Sequence, residues 1–264
     1  MMTELPKLLP GAQPQFYRGN EIGVMLVHGF MAAPPEVGWA GSHLADLGYT
    51  VYAPRLTGHG IDHRHMERMR WQDWYGHVLD GYHILRQQCE KVFVMGHSMG
   101  GLLSILLAAE TQEVDGVIIA AAPLLLANQL MPYSRMLAPL MSYTEHPSEP
   151  ELNAEIEAEQ AKRGEPIISR VHYTTWSTRA VHELYQLTLL ANEHLPRITQ
   201  PLLLIYAVND LTVPPKNIDL IRAAVQSTDI EDVVIQNGGH IIFQDVDKEI
   251  AIKAVGDFIQ QRVE

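Results

Sequence analysis

One pentapeptide constrains this chain more than any other feature: Gly-His-Ser-Met-Gly at residues 96–100. A short apolar run precedes it, and a segment rich in leucine and alanine, too long for a second strand, follows it. This pattern predicts a strand, a tight turn and a buried helix. Side chains at Gly96 and Gly100 would clash in such a turn, and Gly101 lets the helix pack closely on the sheet.

The same pattern indicates a nucleophile at Ser98. A serine at a sharp strand-to-helix turn has its hydroxyl exposed at the helix N-terminus, where backbone N–H groups favour developing negative charge. The alternative is an ordinary strand–helix turn that carries an incidental serine.

Apolar runs typical of buried strands alternate along the chain with amphipathic segments typical of helices. The runs lie at residues 22–27, 49–53, 93–95, 116–121, 201–207 and 232–235, and residues 16–18 could form a short edge strand. The helical segments lie at residues 34–48, 71–88, 215–226 and 247–262. We therefore expect an α/β fold with a mainly parallel sheet and helices on both faces. Right-handed crossovers would bring the C-terminal strand ends to one edge, where such sheets bind ligands.

Residues 124–197 interrupt this alternation. They are rich in methionine and aromatic residues and include an acidic stretch at residues 145–159. A loop of this length without structure of its own is uncommon in a compact domain. We expect a mostly helical cap inserted over the C-terminal edge of the sheet, with ordinary helices on the sheet face as the alternative. The chain, residues 1–264, would then be a single domain with one insertion.

Two further residues that follow predicted strands complete a candidate catalytic triad. Asp210 follows the apolar run at residues 201–207, and His240 follows the last predicted strand in a glycine-containing loop. A serine needs an imidazole within hydrogen-bond reach, and a buried carboxylate can orient that imidazole. Asp210 could otherwise be a turn or capping aspartate, and His240 a loop histidine. The other acids considered are Asp245, Asp247 and Glu183, none of which directly follows a strand.

The early loop His28-Gly29-Phe30 is a candidate for part of an oxyanion hole. Gly29 would let this loop approach Ser98, so that the Phe30 N–H points at an ester oxygen. The second donor would be the N–H of Met99, directly after the nucleophile. We expect His28, His97 and His59 to be structural, the last two with solvent-facing positions as an alternative.

Six motifs together resemble bacterial carboxylesterases and monoacylglycerol lipases of the α/β-hydrolase superfamily. They are His28-Gly29-Phe30, RLTGHG at 55–60, Trp71-x-x-Trp74, GHSMGG at 96–101, Asn209-Asp210-x-x-Val213-Pro214 and Gly239-His240. The resemblance extends from about Val24 to the C-terminus and is weak through residues 124–197. It implies the α/β-hydrolase fold, serine esterase or lipase activity on monoesters, no cofactor, and acyl specificity set by the cap. Residues 31–36 depart from the usual Thr/Ser-Gly pattern, which bears on pocket shape and substrate.

The composition of the chain limits the classes of partner and the cellular location that we expect. The net charge of −12, without a Lys/Arg cluster, argues against a nucleic-acid partner, and no apolar tract reaches the ~20 residues of a transmembrane helix. Cys89 is the only cysteine and no secretory signal is recognisable, so we expect a cytoplasmic protein. The histidines are scattered, and we expect no catalytic metal. The oligomeric state is left open.

Several functions are compatible with these candidate residues. The leading expectation is hydrolysis of a carboxylic ester with a small or medium acyl chain, through an acyl-enzyme on Ser98. A thioesterase or a carbon–carbon bond hydrolase would use the same triad, although an acidic surface disfavours anionic CoA conjugates. A low-turnover binding protein on this fold is the alternative from a different class.

Overall fold

The computed structural model describes residues 5–125 and 130–263, and the strands of its main sheet match the strands predicted from the sequence. The strands described are β1 (Gln15–Tyr17), β2 (Ile22–Val27), β3 (Thr50–Ala53), β4 (Lys91–His97), β5 (Gly116–Ala120), β6 (Tyr143–Glu145), β7 (Thr175–Ser177), β8 (Leu202–Ala207) and β9 (Ile230–Ile235). Seven of them form one sheet in the order β1-β3-β2-β4-β5-β8-β9, in which only the edge pair β1–β3 is antiparallel. The predicted mainly parallel sheet is therefore confirmed.

Helices cover both faces of this sheet, as predicted. The helices described are α1 (Gly38–Asp46), α2 (Trp71–Arg86), α3 (Met99–Thr111), α4 (Ser134–Leu137), α5 (Pro150–Lys162), α6 (Thr178–His194), α7 (Asn217–Ala224) and α8 (Lys248–Val263). Trp74 of α2, Leu103 of α3 and Leu187 of α6 share one apolar core, whereas Leu44 of α1 and Phe258 of α8 belong to the core on the opposite face. The predicted helix at residues 34–48 is a 3-10 turn (Pro34–Val37) followed by α1.

The segment predicted as a cap contains two kinds of structure. Its C-terminal helix, α6, packs against α3 and α2 and contributes to the core on one face of the sheet. This part matches the alternative of a helix on the sheet face. The preceding residues hold the short helix α4, the antiparallel ribbon β6–β7, and α5, whose Ile156 packs into the core of the other face. Residues 126–129 of the predicted range lie outside the described residues, and the boundaries 124–197 stay a prediction.

No helix in the described part of the chain combines the length and apolarity needed to cross a bilayer. The most apolar helix, α3, has 13 residues and is buried from Met99 to Ala109 because it packs between the sheet and its neighbours α2 and α6. Its apolar composition thus reflects burial in the domain core.

The turn between β4 and α3 has no room for side chains at its glycines. A Cβ added at Gly96 would lie 2.0 Å from the carbonyl oxygen of Gly100, and one added at Gly100 would lie 2.1 Å from that of Val27. A Cβ at Gly101 would meet that of Ala122 at 2.8 Å. The clash and close-packing reasons predicted for these glycines are therefore present in the structure.

We expect Gly96→Ala to lower the free energy of unfolding by about 1–3 kcal/mol or more, because backbone atoms must move to admit the methyl group. The matched control is Gly76→Ala in the middle of α2, where an added Cβ has nothing within 4 Å. That change should raise stability by about 0.5–1 kcal/mol. Urea unfolding of both variants checks this, and coincident midpoints would contradict the steric argument.

Candidate active site

Ser98 lies in the strained turn that the pentapeptide predicts. Its φ of 52° and ψ of −118° are unusual for a residue with a side chain. Its N–H donates to the carbonyl oxygen of Ala120 at 2.8 Å, which ties the turn to the end of the neighbouring strand β5. The turn therefore holds the serine at the C-terminal edge of the sheet, directly before the first residue of α3.

The structure brings Ser98, His240 and Asp210 into one hydrogen-bonded row. The Ser98 hydroxyl lies 3.0 Å from His240 Nε2, and His240 Nδ1 lies 2.7 Å from Asp210 Oδ2. An ionised carboxylate only accepts hydrogen bonds, so Nδ1 carries the proton that it donates to Asp210. In the neutral imidazole, Nε2 is then free to accept the Ser98 proton.

The order of the strands explains why a loop is needed to bring His240 to Ser98. Asp210 follows β8 and His240 follows β9. β9 lies three strand positions from β4, the strand that precedes Ser98, which corresponds to a separation of about 14 Å. Residues 236–240 can span roughly 16 Å when extended, enough to return over the ends of β8 and β5. Gly238 adopts a φ of 84°, a conformation that favours glycine, within this loop.

The environment of Asp210 keeps its carboxylate ionised. The residue is 3% exposed. Its Oδ1 accepts from the N–H groups of Thr212 and Val213, both at 2.8 Å. Burial by itself would raise the pKa of Asp210, but the hydrogen bond and charge of His240, with these two backbone donors, lower it below its ordinary value. The site can therefore stabilise a positively charged imidazole.

The loops that carry the two predicted oxyanion donors, Phe30 and Met99, lie side by side at Ser98. β2 and β4 are neighbours with Val27 opposite Gly96, so the loops that follow them run side by side. A Cβ added at Gly29 would lie 3.2 Å from the Cβ of Ser98, which shows how close the loop comes. Within the described residues, the N–H groups of Phe30 and Met99 donate no hydrogen bond. Neither amide therefore has an acceptor among these residues, which is compatible with the predicted role.

His28 and His59 are buried and occupy structural positions. His28 Nδ1 donates to the carbonyl of Gly29 at 2.9 Å, and Nε2 accepts from the N–H of Leu56 at 3.1 Å. Burial lowers the pKa of His28 to about 4, so this imidazole is neutral. Burial also lowers the pKa of His59, whose Nδ1 contacts the carbonyl of Thr57. The alternative of a solvent-facing His59 is wrong.

His97 is also buried, and it pairs with Glu36, a carboxylate that the local sequence pattern does not single out. Its Nδ1 lies 2.9 Å from Glu36 Oε2, and its Nε2 lies 2.7 Å from the carbonyl oxygen of His240. Both ring nitrogens face acceptors, which requires both to carry protons. Burial opposes this charge, yet Glu36 and the His240 carbonyl raise the pKa of His97. Burial would likewise raise the pKa of Glu36, but His97, Arg170 and the Gly29 N–H lower it to about 2.

The other acids considered lie outside the row. Asp245 Oδ2 accepts from the N–H of Gly239 at 2.6 Å, and Asp247 Oδ2 accepts from the N–H of Asn237 at 3.0 Å. Both carboxylates therefore fold the loop that carries His240. Glu183 lies on α6 and pairs with Arg70. None of the three makes a hydrogen bond to His240.

Aromatic rings and carboxylates border the site. The Phe30 ring meets the rings of Trp74 and Trp176 edge-on, with centroids 5.8 and 5.3 Å apart. A cavity of about 230 Å³ lies between the His240 loop and α5. Its lining includes four carboxylates: Glu149, Glu151, Glu155 and Asp245.

Comparison with known proteins assigns the chain to a family. The model of the family described as serine aminopeptidase, S33, matches residues 20–247. The chain belongs to this family. A curated relative, the thermostable monoacylglycerol lipase of Bacillus sp. (strain H-257), is 31% identical over 97% of this chain and 98% of its own. The carboxylesterase of Bacillus subtilis (strain 168) is 23% identical over 94% and 96%.

A solved structure shares the fold of this chain. The structure comes from work on LipS and LipT, two metagenome-derived lipolytic enzymes, and superposes with a TM-score of 0.86 at 28% identity. The match covers 97% of this chain and 100% of that chain. The α/β-hydrolase fold and the resemblance to carboxylesterases and monoacylglycerol lipases are confirmed.

Glu36, which contacts His97 in the structure, was not among the site residues predicted from the sequence. Glu36 lies in the segment 31–36 that departs from the usual pattern, and nothing in its local spacing links it to His97, 61 residues away. The available signal was a lone carboxylate directly after Pro34-Pro35, at the start of an apolar segment next to the oxyanion loop. A charge in such a place needs a buried partner.

Proposed function

We propose that this protein hydrolyses carboxylic monoesters with a small or medium acyl chain, through an acyl-enzyme on Ser98. The single observation that carries the proposal is the row Asp210–His240–Ser98, with bonds of 2.7 and 3.0 Å, beside two unengaged backbone N–H groups. A nucleophile, a base, an acid that orients the base, and an oxyanion hole are what acyl transfer requires.

In the first half of the reaction, Ser98 Oγ attacks the ester carbonyl carbon while its proton moves to His240 Nε2. The carbonyl oxygen becomes an oxyanion and accepts from the N–H groups of Phe30 and Met99. The ionised Asp210 stabilises the imidazolium. The tetrahedral intermediate then collapses, the C–O bond to the alcohol breaks, and His240 returns its proton to the leaving oxygen.

In the second half of the reaction, a water molecule takes the place of Ser98 as the nucleophile. His240 takes a proton from water, and the resulting hydroxyl attacks the acyl carbon of the acyl-enzyme. Collapse of this second intermediate breaks the bond to Ser98 Oγ, which regains its proton from His240. The products are a carboxylic acid and regenerated enzyme, and the cycle uses no cofactor.

The charge of the chain supports a neutral ester over an anionic thioester. The net charge is −12, and four carboxylates line a cavity between the His240 loop and α5. An acidic surface of this kind disfavours a CoA conjugate, which carries negatively charged phosphates. The monoacylglycerol lipase and carboxylesterase relatives support a monoester in the same sense.

Location and partners are part of the proposal. We infer a cytoplasmic protein from its single cysteine, Cys89, which is buried and free. The acidic balance of the chain supports a small-molecule substrate and not a nucleic acid.

Covalent labelling tests the proposed function. We expect a fluorophosphonate to modify the wild type on Ser98 alone, located by peptide mass spectrometry, and Ser98→Ala to stay unlabelled. The p-nitrophenyl acetate, butyrate, octanoate and laurate esters should all release p-nitrophenol, with kcat/KM greatest for a short or medium chain. Labelling with no turnover of any ester would favour a binding protein. Greater kcat/KM on matched thioesters would favour a thioesterase.

A further inference from the structure

We propose that Glu36 and His97 form a buried positioning pair that fixes the oxyanion loop and the His240 loop relative to Ser98. This inference rests on the proposed ester hydrolysis. It concerns two residues that exchange no proton with the substrate in the reaction above.

Glu36 holds the oxyanion loop. One oxygen of this carboxylate, Oε2, accepts from the N–H of Gly29 at 2.6 Å and from His97 at 2.9 Å. Gly29 directly precedes Phe30, whose N–H is the proposed oxyanion donor. The Gly29 backbone also packs closely enough that an added Cβ would be 3.0 Å from Glu36 Oε2. The position of the Phe30 donor is therefore coupled to the Glu36 side chain.

His97 holds the catalytic loop. It directly precedes Ser98 in the chain, and its Nε2 donates to the carbonyl oxygen of His240 at 2.7 Å. The His97 and His240 rings lie 5.1 Å apart, and Phe243 contacts His97 edge-on. One imidazolium thus connects the turn that carries Ser98 to the backbone of the proposed base.

The position of the pair indicates that its role is to orient the groups of the active site and not to stabilise the fold. Glu36 is 5% exposed and His97 1% exposed, and bringing two charges into such a place costs desolvation that their attraction offsets only in good geometry. A buried ion pair is accordingly weak evidence for stability. Here each of its outer hydrogen bonds ends within one residue of a group that the reaction uses.

The pair works only while both charges are present. His97 makes two hydrogen bonds because both nitrogens are protonated, and the Glu36 charge raises its pKa. With a neutral amide at position 36, His97 loses the charge that stabilises its second proton. A neutral His97 has a single N–H, which can donate either to the side chain at position 36 or to the His240 carbonyl, but not to both. Either loss loosens one of the two loops.

The test is Glu36→Gln, with Glu183→Gln as the matched control. The Glu183 carboxylate also accepts from a backbone N–H (Trp71) and pairs with a cationic side chain (Arg70), but it makes no hydrogen bond to Ser98, His240 or Asp210. We expect Glu36→Gln to lower kcat on p-nitrophenyl butyrate by about 10- to 100-fold, since a small displacement of a catalytic group has effects of this size. KM should change by less than about threefold. Glu183→Gln should keep wild-type values.

A transition-state mimic separates positioning from general destabilisation. A trifluoromethyl ketone forms a tetrahedral adduct on Ser98 whose oxygen occupies the oxyanion hole. Its Ki should rise in Glu36→Gln by the same factor as kcat falls, at a temperature where circular dichroism shows a fully folded variant. Unchanged kcat and Ki, or a loss that Glu183→Gln shares, would overturn the inference. An inactive wild type would instead refute the proposed function.

The other member of the pair gives a second route if Glu36→Gln does not fold. His97→Gln has an amide that can donate to the His240 carbonyl but carries no charge for Glu36, and it should show the same kcat and Ki changes with little change in KM. Where both variants fold, the double variant should be no worse than the poorer single one. Multiplying losses would show that the two residues act independently, against the inference.

Discussion

Replacement of Ser98 by alanine, or of His240 by alanine, is expected to lower kcat on p-nitrophenyl butyrate by about 10⁴- to 10⁶-fold. The hydroxyl of Ser98 and Nε2 of His240 are 3.0 Å apart and share one proton, so neither is effective alone. KM should change little, because the aromatic residues that border the site, Phe30, Trp74 and Trp176, are untouched. Steady-state kinetics of purified, folded variants measure both quantities.

The double variant Ser98→Ala with His240→Ala should be scarcely worse than either single change. Residues that act on one transition state lose their joint contribution when either is removed. Losses that multiplied would show that Ser98 and His240 do not work as one nucleophile–base pair. The residual rate of all three variants reports the oxyanion hole and substrate binding alone.

Asp210→Asn should lower kcat by about 10⁴-fold while leaving the packing intact. The reason lies in the two backbone donors on Oδ1, from Thr212 and Val213. In asparagine, the amide oxygen must face these donors, so the NH₂ group faces His240 Nδ1. The imidazole then accepts at Nδ1 and carries its proton on Nε2, where it cannot take the proton of Ser98.

The control for this change is Asp115→Asn. Like Asp210, Asp115 accepts a hydrogen bond from a backbone N–H, here that of Val92 at 2.7 Å. The amide oxygen of an asparagine can keep this bond. The kcat of this variant should equal that of the wild type. Asp245 is unsuitable as a control because it accepts from Gly239 beside the proposed base. If Asp210→Asn kept nearly full activity while Asp245→Asn lost it, the acid would be Asp245.

Most of the fold and the location of the site could be predicted from local patterns. Each predicted strand of the main sheet is present, and the glycines around Ser98 have the steric role that the pentapeptide indicates. Parallel strands connected by helices must end at one edge, so polar residues directly after strands converge there. This is why the sequence alone predicts that Ser98, Asp210 and His240 lie together, although their catalytic roles stay a proposal.

The predicted cap segment shows what local patterns leave undecided. Residues 124–197 lack the alternation of strands and crossovers, which predicts a helical insertion, and the structure adds that its helix α6 packs on α3 in the core on one face of the sheet. An amphipathic helix has the same periodicity whichever apolar surface it covers. Only the tertiary contacts of Leu187 and its neighbours assign it to the sheet layer.

The sequence by itself determined the strand–turn–helix at Ser98, the parallel sheet and the edge at which the site lies, since each depends on periodicity and on the conformational freedom of glycine close by in the chain. Only the tertiary structure decided that Glu36 and His97 are partners and that both are buried. Their pairing depends on the register of β2 against β4, which places two loops side by side. Contacts between residues far apart in the chain leave no periodic trace, because they are set by the packing of the elements that carry them.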